Sequence, residues 1–523
     1  MKKVLLLLVS LLAAVALFAC DNIVIPRGER LVEWIEIDAD TQLDTGRQVT
    51  INHWHRMGAA NQPMLDRWIE MFQEQHPTIT VNAVWQDGGY DGLRNAIAEE
   101  IRLGNNADMP DVMESYPDHI LSYIPPGALN PRPMALNNFI THPTLGLSVE
   151  EWLDILEAFR IESQYDESAR EGTADWNAEF RIGGSIMSLP YLKSTEVLVY
   201  DSALFDRFGW EVPTTWEELS SLATTIRTVI TDERFQILGY DSPGNFFITG
   251  SKQYGAPYTS INDELIGSVD FNNPQSISMM TFFKGLFNER ALTTRDAMNV
   301  PFLSAVFVNT PEGGVLHSNG NRYNHGGIAM YIGSSAGVRN SLNANAWANG
   351  IRPSVAPIPH FEGREALQIQ QGPNISAFYN NDEQRAIASW LWLRFLTSPE
   401  INAEFITNTG HTNPAIGAPG NMPSRVSTLQ TETWLNFKNS VVQDPQTFAE
   451  AQRAIAYQTV NLSLELMGRY FTTESFDRSS RTRQAVGALL DAIMALDANL
   501  SEQELQNRIT ALFQQQYDFV MAV

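Results

Sequence analysis

The chain has 523 residues, enough for three or four domains of about 150 residues or for one large two-lobed protein. Its 35 Lys+Arg stand against 60 Asp+Glu, a net charge of −25, so no surface-wide positive field exists to hold nucleic acid or an anionic membrane. With 44% hydrophobic and 18% charged residues the composition is that of a packed globular protein, and the single cysteine excludes an internal disulfide or a Cys-based zinc cage.

The first element is a targeting segment. Met1-Lys2-Lys3 is a basic start, Val4 to Phe18 is apolar apart from Ser10, and small Ala19 precedes Cys20, which gives the three regions of a secretory signal over residues 1–19. Such a stretch is too short to remain as a membrane span. Leu17-Phe18-Ala19-Cys20 resembles a bacterial lipobox, which implies that Cys20 becomes the lipid-modified first residue of an exported protein facing the periplasm or the extracellular side. Residues 20–47 then read as a lipid-anchored tether, stable if two or more acyl chains are attached.

From Gln48 onward strands and helices alternate. Val49, Ile51 and His53-Trp54 read as a strand, and Asn61 is placed to cap a helix opened by Pro63, with Leu65, Trp68, Ile69 and Phe72 on one face. Ile79 to Trp85 alternates as a second strand, Leu93 to Ile101 makes a second helix and Asp111 to Tyr116 a third strand. A β-α-β-α-β order predicts a parallel sheet whose ligand lies beyond the carboxyl ends of the strands. Loops 55–61, 86–90 and 116–119 are therefore aimed at one crevice. Ser194 to Tyr200 opens a second α/β unit, followed by a Thr215-x-x-Glu218 capping box, a strand at Gly327 to Ile332, a helix from Asp382 to Leu396 and a helical tail with a Ser501-x-x-Glu504 box. The segment 141–184, charged and carrying Trp152 and Trp176, reads as a surface insertion.

Two motifs invite chemistry. Gly333-Ser334-Ser335-Ala336-Gly337 fits the nucleophile elbow of a serine esterase, with Asp382 and His411 downstream as triad partners; the same residues equally read as a Gly-Ser turn at a helix start that donates to ligand oxygens. His53-Trp54-His55 puts two imidazoles on one strand face, but a zinc site needs three or four ligands and the other histidines are scattered. No Walker loop or GxGxxG occurs, so neither cofactor nor metal is expected. Tyr90 and Tyr116 stand beside the predicted crevice, where an aromatic ring with a nearby carboxylate suits the apolar face and hydroxyls of a sugar.

Several segments together resemble family 1 extracellular solute-binding proteins of bacterial ABC importers, of the sugar-type, maltose-binding-protein-like form. They are Asn52 to Gly58, Leu65 to Pro77, Glu114 to His119, and Ser188 to Tyr200 with Pro213 to Leu219 behind it. Gly327 to Ser335, Gly372-Pro373-Asn374, Phe395 to Glu400 and Thr409 to Pro414 continue the likeness, which runs in order from about 48 to 520.

The resemblance implies an α/β two-lobed fold with discontinuous lobes and a helical C-terminal region, in which 48–192 plus 358–400 form the first lobe and 193–357 plus 401–523 the second. Chain crossings fall near Lys193 to Tyr200, Pro357 to Phe361 and Leu396 to Phe405. It implies a monomeric, non-catalytic protein that takes a small carbohydrate, an oligosaccharide or glycoside, by hinge closure and passes it to an ABC permease. A glycerol 3-phosphate or glycerophosphodiester ligand, held by Arg56 and Lys193, is the alternative. The implied ligand contacts are His55, Met57, Asn61, Asp87, Tyr90, Tyr116 and Asp118 in the first lobe, and Lys193, Ser194, Thr195, Gly333, Ser334, Ser335, Gly372 and Asn374 in the second and its border. Tyr90 or Tyr116 would stack, Asp87 and Asp118 would accept from hydroxyls, and His119 would orient Asp118; Asp87 and Asp118 read equally as turn terminators.

Overall fold

A computed structural model describes residues 33–104, 109–123, 132–165, 177–262, 267–379, 381–409, 411, 417–476 and 478–522. The lipobox with Cys20, Trp176 and most of the Gly410 to Pro414 run lie outside them.

The local expectations follow their physical causes. The Gln62–Gln75 helix starts with Pro in its first turn and buries Met64, Leu65, Trp68 and Phe72 along one face. Asn61 stands at its N-cap without a capping hydrogen bond from its side chain. Both predicted capping boxes form, Thr215 with Glu218 and Ser501 with Glu504, each satisfying two otherwise orphaned N–H groups.

Two seven-stranded sheets organise the chain. In the first, the strands run Glu33–Trp34, Arg132–Ala135, Asn374–Tyr379, Val112–Ser115, Val49–His55 and Ile79–Trp85, with Leu189–Pro190 also paired to Asn374–Tyr379. The Val49–His55 strand is parallel to both neighbours, whereas Asn374–Tyr379 is antiparallel to its own. In the second, the order is Leu292–Thr294, Gln236–Tyr240, Ile328–Ser334, Ser194–Asp201, Gln368–Gln371 and Tyr470–Phe471, with Pro353–Ala356 also beside Ser194–Asp201. Strand periodicity sends Leu198 to one face of that sheet, with Met330 and Ile332, and Val197 and Val199 to the other, with Tyr331 and Val355.

The chain passes between the sheets in two adjacent straps. Leu189–Pro190 leads through Tyr191 to Lys193 into Ser194–Asp201, and Gln368–Gln371 leads back through Gly372 and Pro373 into Asn374–Tyr379. They are stitched by Gln371 opposite Ser194 and Asn374 opposite Pro190. The second crossing is thus at 371–374, not at Pro357 to Phe361: Ile358 and Phe361 are still in the second lobe's core. The third is not at Leu396 to Phe405 either, because Leu396, Ile401, Phe405 and Ile406 are buried in the first core, together with Trp434 and Phe437. Residues 401–437 therefore pack with the first lobe, against the expectation that 401 onward belongs to the second. The Phe448–Glu465 helix makes the passage, with Ala456 and Val460 in the first core and Ala451 and Ile455 in a cluster on the second sheet. The described parts of segment 141–184 are not a mere surface insertion: Trp152 and Phe159 are fully buried, and the Trp152 indole donates to the Phe180 carbonyl at 2.8 Å.

Candidate functional site

The straps carry a buried ion pair. Lys193 is wholly inaccessible and its ammonium donates to Glu162 Oε2 at 2.7 Å, to the Gly372 carbonyl at 2.9 Å and to Asn374 Oδ1 at 3.1 Å. An ammonium has three protons, so this group is fully used. Glu162 also accepts from Gln370 Nε2 at 2.6 Å, and Asn374 donates to Ser188 and Ser163. Burial pushes Lys193 down and Glu162 up, while each partner's charge opposes the other's shift.

Beside the straps the lobes meet through polar side chains. From the first lobe, the short Pro117–Ile120 helix presents Asp118; from the second, the Ser479–Met494 helix presents Arg483, whose Nε donates to Asp118 Oδ2 at 3.1 Å. The same guanidinium donates to Asn245 Oδ1 at 2.6 Å and Thr473 Oγ1 at 3.3 Å. Burial works against an ionised Asp118, but Arg483 and His119 outweigh it and hold the carboxyl below its ordinary range. Tyr116 is packed edge-on against Tyr90 with centroids 4.9 Å apart, and its phenol takes a hydrogen bond from the Gly372 backbone N–H. Burial pushes that phenol up to about 12. Tyr258 lies close enough to Arg483 and Asp118 to feel both charges.

The carboxyl ends of the first sheet carry unused hydrogen-bonding capacity. Among the described residues His55 Nδ1, Glu114 Oε1 and the Tyr191 hydroxyl are buried without a hydrogen-bond partner, and extending the register of Val49–His55 with Val112–Ser115 puts His55 beside Glu114. Glu114 accepts from the Arg56 backbone N–H at 2.9 Å through its other oxygen; burial raises its carboxyl to about 7 and lowers the His55 imidazole to about 4. Tyr90 and Tyr191 both feel the Glu114 charge. Arg56 spends one donor on the Gln86 carbonyl and lies over the half-exposed Trp85 ring.

Against known proteins, a family model for bacterial extracellular solute-binding proteins matches residues 67–419, two-thirds of the chain. The chain belongs to that family. A search of curated proteins by sequence gives no match. Among solved structures the chain is similar to the GacH receptor of Streptomyces glaucescens, solved unliganded and with acarbose, at 16% identity and TM-score 0.60 over 90% of this chain and 98% of that one. It is similar also to the sugar-binding protein MalE of Xanthomonas citri, at 18% identity and TM-score 0.58 over 90% and 98%, and to UgpB of Mycobacterium tuberculosis in complex with glycerophosphocholine, at 15% and 0.58 over 90% and 99%. At these identities the likeness carries the two-lobed fold, as the resemblance implied.

In this solute-binding protein the residues named from the sequence separate into groups. Tyr90, Tyr116 and Asp118 come together where the lobes meet, with His55 at the carboxyl end of the Val49–His55 strand. Met57 is buried in the first core, and Asp87 is exposed, its Oδ1 taking the Gly88 N–H at 2.7 Å to close its own turn. Lys193, Gly372 and Asn374 are bound to one another in the straps. Thr195 donates to the Ile369 carbonyl at 3.0 Å and Ser334 to Ser194 at 3.4 Å, while a side chain at Gly333 would meet Asp241 Oδ2 at 3.0 Å.

The esterase elbow is not assembled. Ser335 is fully buried in a short 3-10 helix and its Oγ accepts from the Thr195 N–H at 3.2 Å. Asp382 caps the Glu383–Leu396 helix and pairs with Arg47, and His411 Nε2 contacts the Ala60 carbonyl, both on first-lobe elements. Nor is a metal centre formed: among the described residues no group of three His, Cys, Asp or Glu could hold an ion, and His53 Nδ1 takes the Trp392 indole N–H at 3.2 Å. Glu162 in the straps and Asn245 and Arg483 where the lobes meet carry no local signal in the sequence.

Proposed function

We propose that this solute-binding protein captures a neutral carbohydrate, an oligosaccharide or glycoside, between its two lobes and hands it to an ABC permease without transforming it. The observation that carries this reading is the set of side chains where the lobes meet: Tyr90 and Tyr116 edge to face, with Asp118, Arg483 and Asn245 converging from both lobes. Aromatic faces take the C–H side of a pyranose, and amide, carboxylate and guanidinium groups its hydroxyls. Acarbose bound to GacH and the sugar-binding character of MalE speak for the same class.

The glycerophosphodiester alternative has the glycerophosphocholine-bound UgpB as a structural relative. A phosphate group, however, asks for free cationic donors. Lys193 has all three committed inside the protein, and the Asp118 carboxylate already balances the charge of Arg483, so neither faces the site as an unpaired cation. We further propose that the mature chain is tethered through lipid on Cys20 and works as a monomer. No described helix is long and apolar enough to cross a membrane.

Titration calorimetry tests the reading, with maltose, maltotriose and a glycerophosphodiester as separate titrants. Saccharide heats that vanish in Tyr116→Ala support it; heats from the phosphodiester alone favour the alternative.

A further inference from the structure

We propose that Asp118 and Arg483 form a clasp, built from the chain's own groups, that holds the two lobes together before any solute adds its contacts. The assignment stands on three contacts that converge on one place, where the Ser479–Met494 helix of the second lobe begins against the Pro117–Ile120 turn and the Gly89–Leu103 helix of the first. Arg483 Nε donates to the Asp118 carboxylate at 3.1 Å. The Ser479 hydroxyl shares its one proton between the Phe476 carbonyl at 2.8 Å and, across the lobes, the Asp118 carbonyl at 3.2 Å, and Arg94, from the Gly89–Leu103 helix, donates to Ser480 Oγ. The fourth contribution is the helix itself, whose N-terminal end favours the Asp118 negative charge placed beside it.

The chemistry makes this joint strong but reversible. Arg483 is anchored on the second lobe by Asn245 and Thr473, so the donor it sends across is held in place and its ordering is already accomplished within that lobe. Asp118 is 5% exposed, which removes the water that would otherwise weaken the pair. Arg483 keeps 30% of its side chain exposed, so the pair is dry on the Asp118 side only; taking away the carboxylate's charge removes the charged link between the lobes and leaves Arg483 with Asn245 and Thr473 on its own lobe.

Two consequences set the clasp apart from simple hinge closure driven by solute. The closed arrangement is populated by interactions that do not include the solute, so a solute meets a cleft whose closing is largely accomplished and binds without the reduction in apparent affinity that a rarely populated competent state imposes. Asp118 is also a cleft residue, so a solute hydroxyl that takes the carboxylate loosens the clasp while making its own bridge.

The test needs no solute. Spin labels at Ala98→Cys, on the exposed side of the Gly89–Leu103 helix, and Ala488→Cys, on the exposed side of the Ser479–Met494 helix, report the distance between the two elements. A Cys20→Ser background removes the single native cysteine. Pulsed dipolar spectroscopy of the full chain in plain buffer is expected to give one short, narrow distance. Asp118→Asn, nearly isosteric and uncharged, is expected to add a longer distance that grows several-fold in population, and Arg94→Ala a smaller population at the same distance. Circular dichroism checks that each variant is folded. If Asp118→Asn proves unable to fold, Arg94→Ala and Ser480→Ala carry the test: a longer distance in both supports the clasp and an unchanged one in both overturns it. A distribution in folded Asp118→Asn identical to the parent's overturns it, as does a parent already dominated by the longer distance.

Discussion

Lys193 Nζ lies 2.7 Å from Glu162 Oε2, with both side chains buried where the first strap leaves the first lobe. The pair holds the strap rather than a solute. Lys193→Met, which keeps the length and removes the charge, leaves Glu162 uncompensated in a dry site and is expected to cost about 3–5 kcal/mol. Adding Glu162→Gln to it is expected to recover part of that loss. Urea denaturation of the two single variants and the double variant measures the coupling; additive effects would contradict the pairing.

Glu114 makes stability depend on pH. Burial raises its carboxyl from 4.5 to about 7. Between these values the folded chain keeps a proton that the unfolded chain has lost, so this group's contribution falls as pH rises and levels off above pH 7. Glu114→Gln is neutral throughout. Relative to the parent it is expected to gain on the order of 1–3 kcal/mol between pH 5 and pH 8, at about 1.4 kcal/mol per unit. The His53 and His55 contributions run in the opposite sense, fully present above about pH 6.5 and lost as pH falls towards 4 and 3, but they cancel in the difference between the two chains. Urea midpoints at the two pH values read the effect, and parallel profiles would contradict it.

Gly372 sits at φ +89°, and a Cβ there would stand 2.2 Å from the Leu192 carbonyl oxygen and 2.8 Å from Lys193 Cα. Both neighbours are backbone, so neither has a side chain's freedom to yield. Gly372→Ala is expected to destabilise by at least about 2 kcal/mol and to disturb the register of the straps, read as a lowered thermal midpoint.

Ser335→Ala separates structure from chemistry. Its hydroxyl accepts from the Thr195 N–H in a fully buried setting, so its loss is expected to cost about 1–2 kcal/mol of stability. Turnover of a chromogenic ester is expected to stay at background in both chains. Turnover in the parent that disappears in the variant would contradict the placement of Ser335 as a structural group.

What was legible in the sequence was whatever is written locally. The Thr215 and Ser501 boxes, the amphipathic Gln62–Gln75 helix and the alternation in Ile79–Trp85 follow from side chains a few positions apart. The sequence places the crossing at Pro357 instead of 371–374 because Gln368, Gln370 and Gln371 do not read as a buried strand; they are buried because they meet Ser194, Thr195 and Glu162 across the straps. From the sequence Lys193, Gly372 and Asn374 look like solute contacts for a related reason, since a polar residue at a lobe border reads the same whether its partner is a ligand or another strap. Arg483 was invisible because its meaning depends on Asp118, 365 positions earlier.

The most direct test of the whole account is the thermal unfolding midpoint of the chain from Asp21 onward, measured alone and against mono- and oligosaccharides, glycerol 3-phosphate and glycerophosphodiesters. A solute at about 100 times its dissociation constant adds about 2.7 kcal/mol to the folded state. A clear rise with at least one saccharide and none with the phosphates is the predicted result. A rise confined to the phosphates, or none with any saccharide in a broad panel, would contradict the carbohydrate reading.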